Sequence, residues 1–93
     1  MIQEKRNMLV ENVVLQLITS TVIYPYNSDF GTRYYEITYP FSKYCRDGIS
    51  DKKGLIREYI KDNYNIDNKE FTNKVYEEYI KVINRKRKEI LGL

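Results

Sequence analysis

The sequence predicts an α+β fold, mainly helical: an N-terminal helix, a β-hairpin, then two C-terminal helices in a helix-turn-helix-like hairpin. Three observations carry this expectation. Apolar residues recur at helical spacing over residues 3–18, 51–63 and 67–90. A β-branched and aromatic stretch with period-two alternation interrupts them at residues 20–39. The chain has 93 residues, a length expected to form a single domain over residues 1–93.

In the first helix, Val10, Val13, Val14, Leu17 and Ile18 share a face that Met8, Leu9 and Leu15 widen, which implies more than one neighbour. "TSTVIY" then favours an extended chain, and Pro25 is expected to end that strand. Asn27, Ser28, Asp29 and Gly31 are turn formers. A second strand follows, with Tyr35, Ile37 and Tyr39 on one face and Tyr34, Glu36 and Thr38 on the other. The hairpin is therefore expected over 20–24 and 32–39, around a loop of about seven residues. Its Tyr35 face is expected to meet the core, because a lone hairpin is marginal in water. A short helical turn begins at Ser42 and stops at Gly48.

Ser50 or Asp51 can cap the next helix, whose stripe is Leu55, Ile56, Tyr59 and Ile60. Asp67, with Glu70 three residues on, resembles a capping-box start for the last helix. Phe71, Val75, Tyr79 and Val82 lie on one side of it, with Tyr76, Ile80, Ile83 and Ile90 beside them.

The composition argues against an enzyme. There is no His, so the commonest general base and metal ligand is missing. Cys45 stands alone, so no internal disulfide, thiolate metal site or Cys–His pair is expected, and a small buried hydrophobe is its ordinary role. Glu77 and Glu78 are adjacent, and helical neighbours diverge by about 100°. Gly48 and Gly54 match no phosphate loop. No cofactor is expected. A single thiol suits a reducing, cytoplasmic compartment. No apolar run approaches the roughly 20 residues of a membrane span. Abundant Tyr, Ile, Lys and Asn with no Ala point to an A/T-rich genome, of a low-GC bacterium or a mobile element.

Two surfaces could carry function. Residues 1–50 hold equal numbers of cations and anions, so the net charge of +3 sits towards the C-terminal end, around "RKRK" at 85–88. On a helix these four sweep about 300°, so one flat surface cannot use them all. Cations near a helix C-terminus favour its dipole, but four in a row exceed that need and repel one another. The sequence thus points to a small DNA-binding accessory or regulatory protein, expected to be a homodimer. It would grip phosphates through Lys74, Lys81, Arg85, Lys86, Arg87 and Lys88, with Thr72, Asn73 and Lys74 as the base readers. The alternative is a protein-interaction module, such as a small inhibitor, immunity or antitoxin-like protein. It would bind its target through a tyrosine-rich interface of Tyr24, Tyr26, Tyr34 and Glu36. A structural component of a phage or plasmid is a third reading.

Overall fold

Three helices supply the core. A computed structural model describes residues 3–92. In chain order it contains α1 (Gln3–Thr19), β1 (Thr21–Ser28), β2 (Gly31–Thr38), a 3-10 turn (Tyr39–Phe41), α2 (Ser42–Arg46), α3 (Lys52–Tyr64) and α4 (Lys69–Leu91). The architecture is the expected helix, hairpin and helices. Val10, Val13, Val14 and Leu17 of α1 meet Leu55, Ile56, Tyr59 and Ile60 of α3 and Phe71, Val75, Tyr79 and Ile83 of α4 in one buried cluster. Phe41 and Tyr44 close it from the turn and α2. The wide stripe of α1 does serve two neighbours: it packs along α4, and on the α3 side Tyr59 Oη donates to Gln16 Oε1 at 2.9 Å and Tyr64 Oη bonds the same oxygen.

The helix starts are local chemistry. Asp51 accepts from the Gly54 N–H at 2.8 Å and caps α3. Gly54 suits this close cap, because a Cβ there would stand 2.8 Å from the Asp51 carboxylate. Asn65, at φ 55°, ends the helix in the left-handed conformation that Asn tolerates. The start of α4 differs from expectation. Asn68 is the cap, accepting from the Phe71 N–H at 2.9 Å. Asp67 instead pairs with Arg57 of α3 at 3.2 Å, and Glu70 pairs with Arg6 of α1 at 3.6 Å. Tertiary ion pairs have taken the two carboxylates of the apparent capping box.

The hairpin is longer and tighter than expected. Pro25 does not end β1: the ladder runs one-to-one from Thr21↔Thr38 through Pro25↔Tyr34 to Ser28↔Gly31, leaving Asp29 and Phe30 as the turn. The Tyr39 N–H donates to the Ser20 carbonyl at 3.1 Å, which sets the phase of the ladder. Counting in steps of two, Tyr24↔Tyr35 and Tyr26↔Arg33 are hydrogen-bonded pairs, and Pro25 falls between them. A residue there turns its N–H away from the partner strand, so a proline forfeits no bond. Gly31, at φ 104°, enters β2 in a conformation that costs other residues strain.

The two faces are the reverse of expectation. Thr38 is buried, whereas Tyr35, Ile37 and Tyr39 are 62%, 39% and 55% exposed. The inward face sets buried Ile23 beside polar groups that bond one another. Thr21 Oγ1 donates to the Leu17 carbonyl at 2.7 Å, and Thr21 and Thr38 hydroxyls lie 2.7 Å apart. Thr21 has spent its one hydrogen, so Thr38 donates to it, and Tyr79 Oη, 3.1 Å from Thr38, donates in turn. The chain of hydroxyls replaces the apolar contact that Ile37 would have made.

Candidate functional site: the hairpin and the basic end of the last helix

The "RKRK" run divides by direction. Arg87 points at the hairpin. Its Nε and Nη2 donate to Glu36 Oε2 at 2.8 and 2.5 Å, its Nη1 to Asn84 Oδ1 at 3.0 Å, and its guanidinium lies 5.1 Å from the centre of the Tyr34 ring. The Glu36 side chain is only 8% exposed, and Lys52 of α3 reaches its other oxygen at 3.4 Å. A nearly buried carboxylate is tolerable only when paired in this way. Lys86 Nζ donates to the Thr21 carbonyl at 3.2 Å. Two of the four cations thus fasten the hairpin to α4; Glu36 is withdrawn from the surface as their partner, while Tyr34, beside Arg87, stays 36% exposed.

The other cations stay in solvent. Lys74, Lys81, Arg85 and Lys88 are exposed and fall on one side of α4 at 100° per residue. Lys81 is paired with Glu78 at 3.3 Å, while Lys74, Arg85 and Lys88 make no ion pair among the described residues. Thr72 is 4% exposed and cannot reach a base edge; Asn73 is half-buried and Lys74 exposed. The reading of Thr72 as a base reader is therefore overturned by its place in the core.

The outer face of the hairpin is open and aromatic. Tyr24 and Tyr26 of β1 stand beside Tyr35 and Ile37 of β2, all exposed, and Tyr39 continues the stripe. Tyr26 and Tyr35 stack with ring centres 4.7 Å apart. A hydrogen bond with Tyr39 is the first cause, ahead of its charge, of a raised pKa for the Tyr24 hydroxyl. At the tip, Phe30 is 86% exposed and Arg33 lies 5.7 Å from its ring centre. Among the described residues Arg33 is the one charged strand residue on this face. The sequence pattern missed Tyr35, Ile37 and Tyr39 as surface residues. The available signal was Glu36: a strand face whose carboxylate can find Arg and Lys partners is as good a candidate for the inside.

Two other features frame these surfaces. A groove of about 470 Å3 runs between α1 and α4, floored by Val10, Val14 and Val82 and rimmed by Glu11, Lys74 and Glu78. Cys45 is exposed rather than buried, because α2 turns Tyr44 inward in its place. Tyr44 Oη donates to Asp62 at 2.7 Å. Burial and then that bond push the Tyr44 hydroxyl pKa well above its ordinary value. The same bond, followed by one from Lys43, holds the Asp62 carboxyl below its ordinary value. Among the described residues no group of three or more His, Cys, Asp or Glu could hold a metal ion, and no helix is long and apolar enough to cross a membrane. Comparison with protein-family models, with curated proteins and with solved structures finds no match to this chain.

Proposed function

We propose that this chain is a protein-interaction module whose contact surface is the outer face of the β-hairpin. One observation carries the reading. Tyr24, Tyr26, Tyr35, Ile37 and Tyr39 form a continuous exposed face, while on the opposite face Thr21, Ile23, Glu36 and Thr38 are committed to the helices. Exposed apolar patches of this kind mark interaction sites. Tyrosine is suited to them, since a rigid ring contributes contact area at small entropic cost and its hydroxyl finds a partner. Stacking of Tyr26 on Tyr35 pre-orders the face before a partner arrives. The face holds too little positive charge for a platform that tracks a phosphate backbone.

Selection from a random-peptide display library tests this. Binders should lose about ten-fold or more of their affinity for Tyr24→Ser/Tyr35→Ser, the loss expected of interface tyrosines. They should be indifferent to Arg85→Ala/Lys88→Ala. Binders indifferent to the hairpin substitutions would overturn the reading.

A second reading, DNA binding through α4, is favoured by one observation: Lys74, Arg85 and Lys88 are exposed on one side of the helix without acidic partners among the described residues. Such a row would neutralise phosphates without reading bases. Gel shift of duplex DNA at two salt concentrations separates it from the first.

A further inference from the structure

The hairpin has two edges, and they are treated differently. The sheet has only two strands, so each strand presents an outer row of backbone groups. The phase set by Tyr39 and Ser20 assigns those rows. On β2, Thr32, Tyr34, Glu36 and Thr38 turn their N–H and C=O away from β1, and the open row ends at Glu36, because Thr38 is buried at the start of the 3-10 turn. On β1 the outward positions are Thr21, Ile23, Pro25 and Asn27. There Pro25 offers no N–H, the Thr21 carbonyl is taken by Lys86, and α4 packs alongside. Proline, lysine and a covering helix are the devices by which edge strands avoid pairing. The edge of β2 has none of them. Its sequence, GTRYYEIT, contains neither Pro nor Lys, its ladder has no bulge, and β1 is the one element with extensive contact to it.

Space and charge lie beside this edge. A groove of about 360 Å3 borders the second half of β2, and its lining includes Glu36, Ile37, Phe41, Cys45, Arg46 and Lys52. Arg46 is exposed and makes no ion pair among the described residues. Lys52 shares Glu36 with Arg87, two cations to one carboxylate. Arg33 is exposed in the first half of the strand. The edge is therefore a row of unmet backbone groups in a positive field.

We infer that the free edge of β2 takes up an extended, carboxylate-bearing segment of another protein as a third strand. This rests on reading the hairpin as the contact site and names the mode and the partner's chemistry. Backbone bonds to Thr32, Tyr34 and Glu36 supply affinity, as in other strand-addition complexes, and the carboxylates meet Arg46, Lys52 and Arg33. A second copy fits less well. Antiparallel pairing of β2 with its own copy about a two-fold axis brings the copy's Arg33 towards the groove that already holds Arg46 and Lys52, which sets like charges together.

The test uses two peptides as long as β2, one of alternating Glu and Val and one of alternating Lys and Val, titrated into the isotope-labelled full chain at low salt. The Glu peptide should protect the Thr32, Tyr34 and Glu36 amides from exchange, and the Lys peptide should not. Tyr34→Pro removes one outward N–H, in the manner of Pro25 across the ladder, and should weaken the Glu peptide by about ten-fold. Tyr34→Ala loses the ring but keeps the N–H and should bind as wild type does. Thr32→Pro and Arg46→Glu are further checks that leave the Tyr34 ring in place, and each should weaken binding. Absence of binding at millimolar peptide, equal binding of both peptides, or indifference to Tyr34→Pro would overturn the inference. So would a concentration-dependent dimer that Tyr34→Pro abolishes, because the occupant would then be a second copy. Library binders that need Tyr24 and Tyr35 but ignore Tyr34→Pro would leave the outer-face reading standing and remove this one.

Discussion

Arg87→Ala asks whether the basic run is structural. The substitution leaves Glu36, whose side chain is 8% exposed, with Lys52 at 3.4 Å as its remaining cation. Breaking a fully buried pair costs about 3–5 kcal/mol, most of it the penalty of the abandoned charge. Here Lys52 remains and the Arg87 side chain is 28% exposed, so a loss of about 2–3 kcal/mol is expected. Urea unfolding followed by circular dichroism measures it. For a chain of this size, with m near 1 kcal/mol per molar, the midpoint should fall by roughly 2–3 M. Arg85→Ala, in solvent on the same helix, should change stability by less than about 0.5 kcal/mol. Glu36→Gln in the Arg87→Ala background should restore part of the loss, because it removes the orphaned charge. Exchange of the Tyr24 and Tyr35 amides should accelerate more than exchange in α3, since the hairpin loses its anchor first. A loss below about 0.5 kcal/mol for Arg87→Ala would refute the reasoning, for that is the value of a surface pair that water already screens.

Three further outcomes are expected. Asn68→Ala should cost about 1 kcal/mol and Asp67→Ala a few tenths, as thermal melts would show, because Asn68 caps α4 while Asp67 makes an exposed pair. Wild type should exceed Tyr44→Phe in stability most between about pH 4 and pH 10. Below that window Asp62, whose folded pKa is lowered, takes up a proton and its stabilisation is lost as pH falls. Above it the unfolded chain ionises Tyr44 while the folded pKa is raised, so stability is lost as pH rises; melts across pH measure the gap. Finally, if α4 binds duplex DNA through Lys74, Arg85 and Lys88, log affinity against log salt should slope at roughly −2.7, and Arg85→Ala/Lys88→Ala should flatten it by about two units.

The helices were legible because their information is local and redundant. Several apolar residues at one spacing identify the buried face of α1, α3 and α4, and Asp51 lies where a cap belongs. The hairpin was legible as a hairpin but not as to which side faces in. Period two says that Tyr35 and Glu36 face opposite ways; it does not say which is inside. The answer came from residues far along the chain: Arg87, 51 positions from Glu36, and Tyr79, 41 positions from Thr38. Pro25 misled for a related reason, since whether a proline breaks a strand depends on where its N–H would point, and only the partner's register decides that.

The two roles of the basic run change how the end of α4 has to be tested. Lys86 and Arg87 hold β1 and β2 against the helix, so neutralising all four cations would loosen the tyrosine face as well as remove charge. A lost gel shift or a lost protein partner would then follow from the same fourfold substitution, and neither reading could be preferred. The residues that separate them are the ones in solvent. Arg85 and Lys88 carry charge without touching the hairpin, and Tyr24 and Tyr35 carry the aromatic face without touching α4's cations. Binding that falls with the first pair and not the second belongs to the helix. The reverse pattern belongs to the hairpin, and Arg87 then acts as a positioning residue that keeps the face presented.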